Sequence, residues 1–308
     1  MADVVLQMAV MILAGIAWRI IRPAKLDADL TRHVIASLVY YVLLPALVLE
    51  VLSRHALGVE TLRIAAFGAT LIFAGVALAW LAYRWLPAPD SQRGAAILAV
   101  AFPNVTFLGL PVLEQTFGPW ARAVAIQIDL FACMPLVLTL AVTIAGAYGS
   151  GGGKDNGAWR ALLSVPALWA VLAAALLNHF HITLPAWLAG ALGRMSGTVA
   201  PLMLFALGLG LRLDALRWRN IALLAPVLAL RLLLLPLLAW PLASALHFGG
   251  DTWRALILEA AMPSMVVGIV LCDRFRLDSG FYAAAVTLTT LASWLSLPFW
   301  WRLFQAVA

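Results

Sequence analysis

Two apolar stretches of this chain are interrupted by a proline that a small polar residue follows. The first reads AFPNVTFLG (Ala101–Gly109) and the second AMPSMVVG (Ala261–Gly268). A proline inside a helix removes one backbone donor and frees a carbonyl. Pro103 and Pro263 are therefore helix-break candidates, and the side chains next to them are candidates for chemistry. The Asn104 amide carries two donors and two acceptor sites, so with freed backbone N–H groups it can hold a carboxylate. Ser264 occupies the corresponding place in the second stretch. Thr106 and Gln127 add polar contacts. Arg231, inside another apolar run, either attracts an anion or caps the carbonyl end of a broken helix. Charges within apolar spans are expensive and default to function. Asp129 can bind and release a proton, pair with a cation, or form a structural ion pair. Glu259 precedes Pro263 by one helical turn and shares a face with the break, unless it lies near the outer surface. Thr289, Ser293 and Ser296 put hydroxyls on one helical face, as a pathway lining or as a helix interface.

Other chemistries lack their parts. Gly149–Gly157 (GSGGGKDNG) is not a phosphate-binding loop: Tyr148 stands where the first glycine is required and Asp155 where the hydroxyl is required. His179 and His181 alternate and have no third ligand in view, so no metal site is expected. His55 and Glu60 only approximate an acyltransferase pattern. The two cysteines, Cys133 and Cys272, lie in apolar segments and form no disulfide framework. No cofactor is expected.

The elements that must position these residues follow from composition. Hydrophobic residues make up 64% of 308 residues and charged ones 11%, against about 45–50% and about 25% in soluble domains. So few charges cannot cover a water-facing surface, and a polytopic membrane protein is expected. The net charge is +6, but the arginines are scattered through the loops and form no nucleic-acid-binding stripe. A bilayer core of about 30 Å needs about 20 helical residues. Ten apolar segments approach that length: 4–21, 32–52, 62–86, 94–115, 119–147, 159–179, 186–211, 220–247, 253–272 and 280–305. All-α architecture follows, with residues 1–148 and 159–308 as two five-span halves joined by a Gly-rich linker at 149–158. The first segment is expected to be a retained span and not a cleaved signal. Loops after odd-numbered spans carry 13 Lys and Arg, against 6 on the opposite side. The positive-inside rule then puts the linker in the cytoplasm and both termini outside.

Five spans per half force opposite orientations, the inverted-topology repeat of secondary transporters. Matching prolines support it: Pro103 with Pro263, Pro45 with Pro201, and Pro135 with Pro298. Spans four and nine are expected to break at proline and cross near the midplane, presenting helix ends and their partial charges to a ligand.

At these residues the sequence resembles the auxin efflux carrier family, whose plant members are the PIN-type auxin exporters. The resemblance rests on PNVTFLGLPVL (Pro103–Leu113) followed by Phe117 and Gly118, on APLMLFALGLGL (Ala200–Leu211) and on LRLLLLP (Leu230–Pro236). It continues through AAMPSMVVGIVLCDRF (Ala260–Phe275) and AAAVTLTTLASWLSLP (Ala283–Pro298). These segments run in order along most of the chain. The resemblance implies a scaffold from spans 1, 2, 6 and 7 and a moving transport domain from spans 3–5 and 8–10. It also implies a homodimer through the scaffold, a substrate contact at Asn104, and organic anions (auxin, or dicarboxylates in bacteria) as substrates. The chain lacks the long cytoplasmic loop of the plant exporters, and its short loops look bacterial. Ser264 replaces a larger polar residue of the plant members.

The expected function is secondary transport of a small organic anion by alternating access in the cytoplasmic membrane. Efflux would be driven by an inside-negative potential, whereas uptake would need a proton or sodium. The alternative is a sodium- or proton-coupled antiporter or symporter of related crossed-helix fold. Antiporters of that fold place paired acids at the crossing, where this chain has Asn104 and Ser264. A membrane-embedded enzyme would need clustered acids, His or Cys at an interface, and the sequence has no such cluster.

Overall fold

The computed structural model describes residues 2–53, 58–150, 163–212 and 221–307. The Gly-rich linker from Gly151 on, the first residues of the sixth expected span, and His55 lie outside the described residues. Helix dominates, and the described residues contain no named strand. In lipid this is what the backbone requires, because every N–H and C=O must find its partner within the protein.

The helices are α1 (Ala2–Ile21), α2 (Ala28–Leu52), α3 (Val59–Tyr83), α4 (Asp90–Ala101), α5 (Leu110–Phe117) and α6 (Pro119–Tyr148), then α7 (Pro166–His179), α8 (Ala186–Gly210), α9 (Ala222–Ala245), α10 (Gly250–Ala260), α11 (Gly268–Phe275) and α12 (Ser279–Val307). Six of them are long and apolar enough to cross a bilayer unaided: α2, α3, α6, α8, α9 and α12. The other expected spans are shorter or interrupted. α7 has 14 residues, and the apolar part of α1 is Leu6–Ile21. The fourth and ninth are each split in two, as α4 and α5 and as α10 and α11. Large apolar side chains such as Leu6, Trp80, Trp169, Leu172, Trp187 and Leu295 face outward, as suits a surface solvated by lipid tails.

α2 starts four residues before the segment that hydropathy alone marks. Asp27 caps it, its carboxylate accepting from the Leu30 N–H at 2.8 Å, as an N-cap residue does. The polar first turn (Ala28-Asp29-Leu30-Thr31) thus belongs to the helix, which puts Arg32 in its second turn.

Proline leaves a second local signature. Wide, π-type turns at Val39–Leu43, Val105–Gly109, Asp129–Cys133 and Ala229–Leu234 immediately precede Pro45, Pro111, Pro135 and Pro236. Each proline lacks an N–H and its ring crowds the carbonyl four residues back. Widening the turn relieves that clash, and such bulges recur at functional sites. The carbonyl of Leu232, four residues before Pro236, accepts instead from the Trp300 indole N–H at 2.9 Å. Pro201 and Pro298 sit inside α8 and α12, so their sequence partners Pro45 and Pro135 differ from them locally.

Two packing groups stand out. α8 packs on α1 and α2, and α7 on α2, while α4 packs against α3 and α12, and α10 against α9. Glycine permits the closest approach: a Cβ on Gly15 would strike the backbone of Phe205 and Leu209, and one on Gly208 would strike Ile12. The inner ends of the broken helices lie deepest. Gly94–Ala101 of α4 and Ala255–Ala260 of α10 are buried without interruption.

Candidate functional site

The two breaks meet. Pro103 and Ser264 form an isolated antiparallel bridge. The Asn104 N–H donates to the Pro263 carbonyl at 2.8 Å, and the Met265 N–H donates to the Phe102 carbonyl at 3.0 Å. The backbone N–H of Asn104 is therefore committed to the partner break and is not free for a ligand. Other groups released by the breaks find side chains. The Ser264 N–H donates to Thr289 Oγ1 at 3.2 Å, and the Tyr282 hydroxyl donates to the Met265 carbonyl at 2.7 Å. Thr289 itself donates to the Ala285 carbonyl of its own helix at 2.7 Å. One member of the hydroxyl face on α12 thus supports the second break.

Arg231 closes the opposite side. It projects from the wide turn of α9 and is 2% exposed. Its Nε donates to the Met262 carbonyl at 2.7 Å, one terminal nitrogen to Val100 at 3.1 Å and the other to Ala260 at 2.7 Å. One guanidinium thus ties together the carbonyl ends of α4 and α10, where both helices concentrate partial negative charge. Of the two roles the sequence left open for Arg231, the geometry matches the cap. It faces a small space of about 20 Å³ that Pro103 and Glu259 also line. Glu259 is 1% exposed, and neither carboxyl oxygen has a hydrogen-bond partner among the described residues. Glu259 is therefore a core residue and not a surface one. A Cβ on Gly109 would fall on that carboxyl group, so only glycine fits opposite it.

On the other face of the bridge lies a cavity of about 310 Å³, the size of a small-molecule site. Pro103, Asn104, Thr106 and Asp129 line it, with Arg32, Tyr40 and Met203 among the residues opposite. Asn104 is 2% exposed, and its Nδ2 has no partner. The Thr106 hydroxyl donates to Asp129 Oδ2 at 2.5 Å. The structure therefore divides the residues singled out from sequence. Asn104, Thr106 and Asp129 share the large cavity, while Arg231 and Glu259 share the small one. Gln127 is buried, with its Oε1 unpartnered, and Ser264 is fully buried, with its hydroxyl unpartnered. Neither lines the large cavity. No group of His, Cys, Asp and Glu among the described residues is arranged to hold a metal ion.

One wall of the large cavity was missed from sequence. Arg32, Ala36, Tyr40 and Leu44 follow one another at four-residue spacing along α2, beside His33, Ser37 and Tyr41. That spacing marks one helical face. Arg32 stands at the very edge of the expected second span, 32–52, and is not among the residues that the sequence singles out. Arg122 of α6 joins two further acids, at 3.7 Å to Glu50 of α2 and in direct contact with Glu114 of α5. Glu50 and Arg122 both also reach Ser196 of α8.

Known proteins resemble this chain over nearly its whole length. The family model described as "Membrane transport protein" matches residues 3–151 and 156–301. A protein of Methanothermobacter thermautotrophicus named "Uncharacterized transporter" is 30% identical over 306 residues, covering 97% of this chain and 96% of its own. The "Uncharacterized transporter YfdV" of Escherichia coli is 25% identical over 71% of this chain and 70% of its own. The "Probable auxin efflux carrier component 5b" of Oryza sativa subsp. japonica is 26% identical over 62% of each. With six membrane-length apolar helices among the described residues and a family match over residues 3–151 and 156–301, this is a membrane transporter, not an enzyme, and the chain belongs to the membrane transport protein family of the auxin efflux carriers.

Proposed function

We propose that this transporter is a secondary carrier of small organic anions, moving carboxylates such as dicarboxylates or auxin-like acids by alternating access. In this proposal it spans the cytoplasmic membrane ten times as two inverted five-span repeats, residues 1–148 and 159–308, joined by the linker at 149–158. The fourth and ninth spans break and cross at Pro103 and Pro263, and both termini lie outside. Spans 1, 2, 6 and 7 form the scaffold and carry a homodimer contact. Spans 3–5 and 8–10 form the transport domain. The packing of α8 on α1 and α2, and of α7 on α2, supports that division, as does the pairing of the two breaks.

The observation that carries the substrate assignment is Asn104. A nearly buried amide donor without a partner is costly, and it lines the cavity at the helix break. A carboxylate accepting from it would relieve that cost. Thr106 and Asp129 complete the polar edge, and Asp129 is a candidate coupling residue. Gln127 and Ser264 act behind it, and Arg231 holds the two helix ends. Efflux of an anion is favoured by about 2.3 kcal/mol per charge per 100 mV of inside-negative potential.

One observation favours a coupled variant. Glu259 is buried with both carboxyl oxygens unpartnered, as a proton-binding group awaiting its proton would be. A proton- or sodium-coupled antiporter or symporter is therefore the second reading. The test is charge movement in proteoliposomes on a supported membrane, with small carboxylates, for the native protein and Asn104→Ala. Currents with an acid that vanish in Asn104→Ala support the carrier. Currents driven by a proton or sodium gradient alone, unchanged in Asn104→Ala, replace it with the antiporter.

A further inference from the structure

One cation lining the cavity has no hydrogen-bond partner among the described residues. Three arginines, Arg19, Arg32 and Arg212, surround one acid, Asp29, where α1, α2 and the end of α8 meet. Both Asp29 oxygens are taken: Oδ1 accepts from Arg19 at 3.0 Å and Oδ2 from Arg212 at 3.0 Å. Arg19 also donates to the Leu209 carbonyl at 2.7 Å. Arg32 has no hydrogen bond or ion pair to any described residue, and its Nε is buried without a partner. It is half-buried and lines the large cavity with Asn104. Its stem lies against Gly210, where a Cβ would stand 3.2 Å from Arg32 Cδ. A side chain there would crowd the arginine, so the glycine makes room for it.

A half-buried guanidinium without a hydrogen-bond partner among the described residues presents the fork geometry that carboxylates match. The rest of the cavity is mostly apolar, with Tyr40, Phe107, Met134, Met203 and Met265 among its walls. Asp129 lines the same space. A second carboxylate in a ligand would therefore meet an acid, while an apolar body would meet methionine and aromatic surface.

We propose that Arg32 is a substrate-specificity residue: it pairs with the carboxylate of a monoanion whose apolar body occupies the cavity, so that monocarboxylates are preferred to dicarboxylates. This deepens the carrier assignment and rests on it. The ligand enters from the end of α2 that carries Arg32 and His33, and the second oxygen of the same carboxylate accepts from Asn104.

The test is ligand binding by isothermal titration to the full chain in detergent. The probes are phenylacetate, its neutral isostere phenylacetamide, and the dianion phenylmalonate. The native protein is expected to bind phenylacetate more tightly than either of the others. Arg32→Gln should weaken phenylacetate by about ten- to a hundred-fold, the scale of one lost charge-assisted hydrogen bond. It should leave phenylacetamide unchanged, a selectivity that general unfolding could not produce. Arg32→Lys retains the charge without the fork, should recover part of the loss, and covers the case of an Arg32→Gln protein that does not fold. If Arg32→Gln keeps the full preference for phenylacetate while Asn104→Ala loses it, Arg32 is idle and the carrier assignment stands. Phenylmalonate binding more tightly than phenylacetate overturns the monoanion preference. If no probe binds the native protein, the monoanion proposal falls, while the carrier assignment is decided by the currents on the supported membrane.

Discussion

Arg231→Met removes the guanidinium that holds α4 to α10 while keeping an apolar stem of similar length. In the native protein three N–H groups reach the carbonyls of Val100, Ala260 and Met262, at 3.1, 2.7 and 2.7 Å. Arg231 is 2% exposed, so water cannot replace those donors without entering the core. Each orphaned buried acceptor costs about 1–3 kcal/mol, which gives roughly 3–9 kcal/mol for three. Arg231 also repays its own desolvation through these bonds, so the lower end is the better expectation. Breaking one side of a buried charged arrangement nonetheless remains strongly destabilising. Native stabilities are about 5–15 kcal/mol, so even the lower figure is a large share. At about 2–4 °C per kcal/mol, a loss of about 3 kcal/mol lowers Tm by roughly 6–12 °C. The chain's 13 tryptophans allow this to be followed by intrinsic fluorescence in detergent. Arg231→Lys should fall between, because a compact ammonium cannot reach three carbonyls on two helices with the planar fork of arginine. A Tm for Arg231→Met within 2 °C of the native value would refute the assignment of Arg231 as the tie between the broken helices.

Gly208→Val should abolish stable protein in the membrane fraction, because its side chain would strike the Ile12 backbone and force α1 from α8. Fluorescence-detected size exclusion reads this directly, and a normal monodisperse peak would contradict the close approach. Trp300→Phe keeps the aromatic packing but removes the donor to the Leu232 carbonyl freed by Pro236. A thermal melt should show a loss of about 1–2 kcal/mol, and an unchanged melt would mean that water reaches that carbonyl. Arg122→Gln leaves Glu50 and Glu114 without their shared cation and should lower Tm more than Glu50→Gln does. The reverse order would show that the two acids do not depend on Arg122.

The breaks were legible in the sequence because their cause is local, whereas the wide turns before Pro45, Pro111, Pro135 and Pro236 were not foreseen. Proline carries its missing N–H wherever it stands, so Pro103 and Pro263 mark disturbed backbone before any contact is known. Asn104 was legible for the same reason, as the polar residue beside a break. Arg32 was not. A charge at the edge of an apolar segment looks like an end-of-span residue, and its cavity face became recognisable only once residues from distant segments were seen around the same space. The pairing of Arg122 with Glu50 and Glu114 was hidden too, since it joins helices far apart in the chain. Arg231 stood between two roles, because a lone arginine in an apolar run is the same residue whether an anion or a carbonyl awaits it.

The sequence by itself determined that this chain lives in a membrane as helices, and where those helices must fail. With 64% hydrophobic residues it has no water-facing alternative, and lipid offers unpaired backbone no partner. Only the tertiary structure decided how the failures are repaired. The Val100 carbonyl is answered by a residue 131 positions away, the Leu232 carbonyl by one 68 away, and the Asn104 N–H by the opposite break. A hydrogen bond requires its two atoms within about 3 Å in space, and local sequence does not specify which distant segments the packing brings that close.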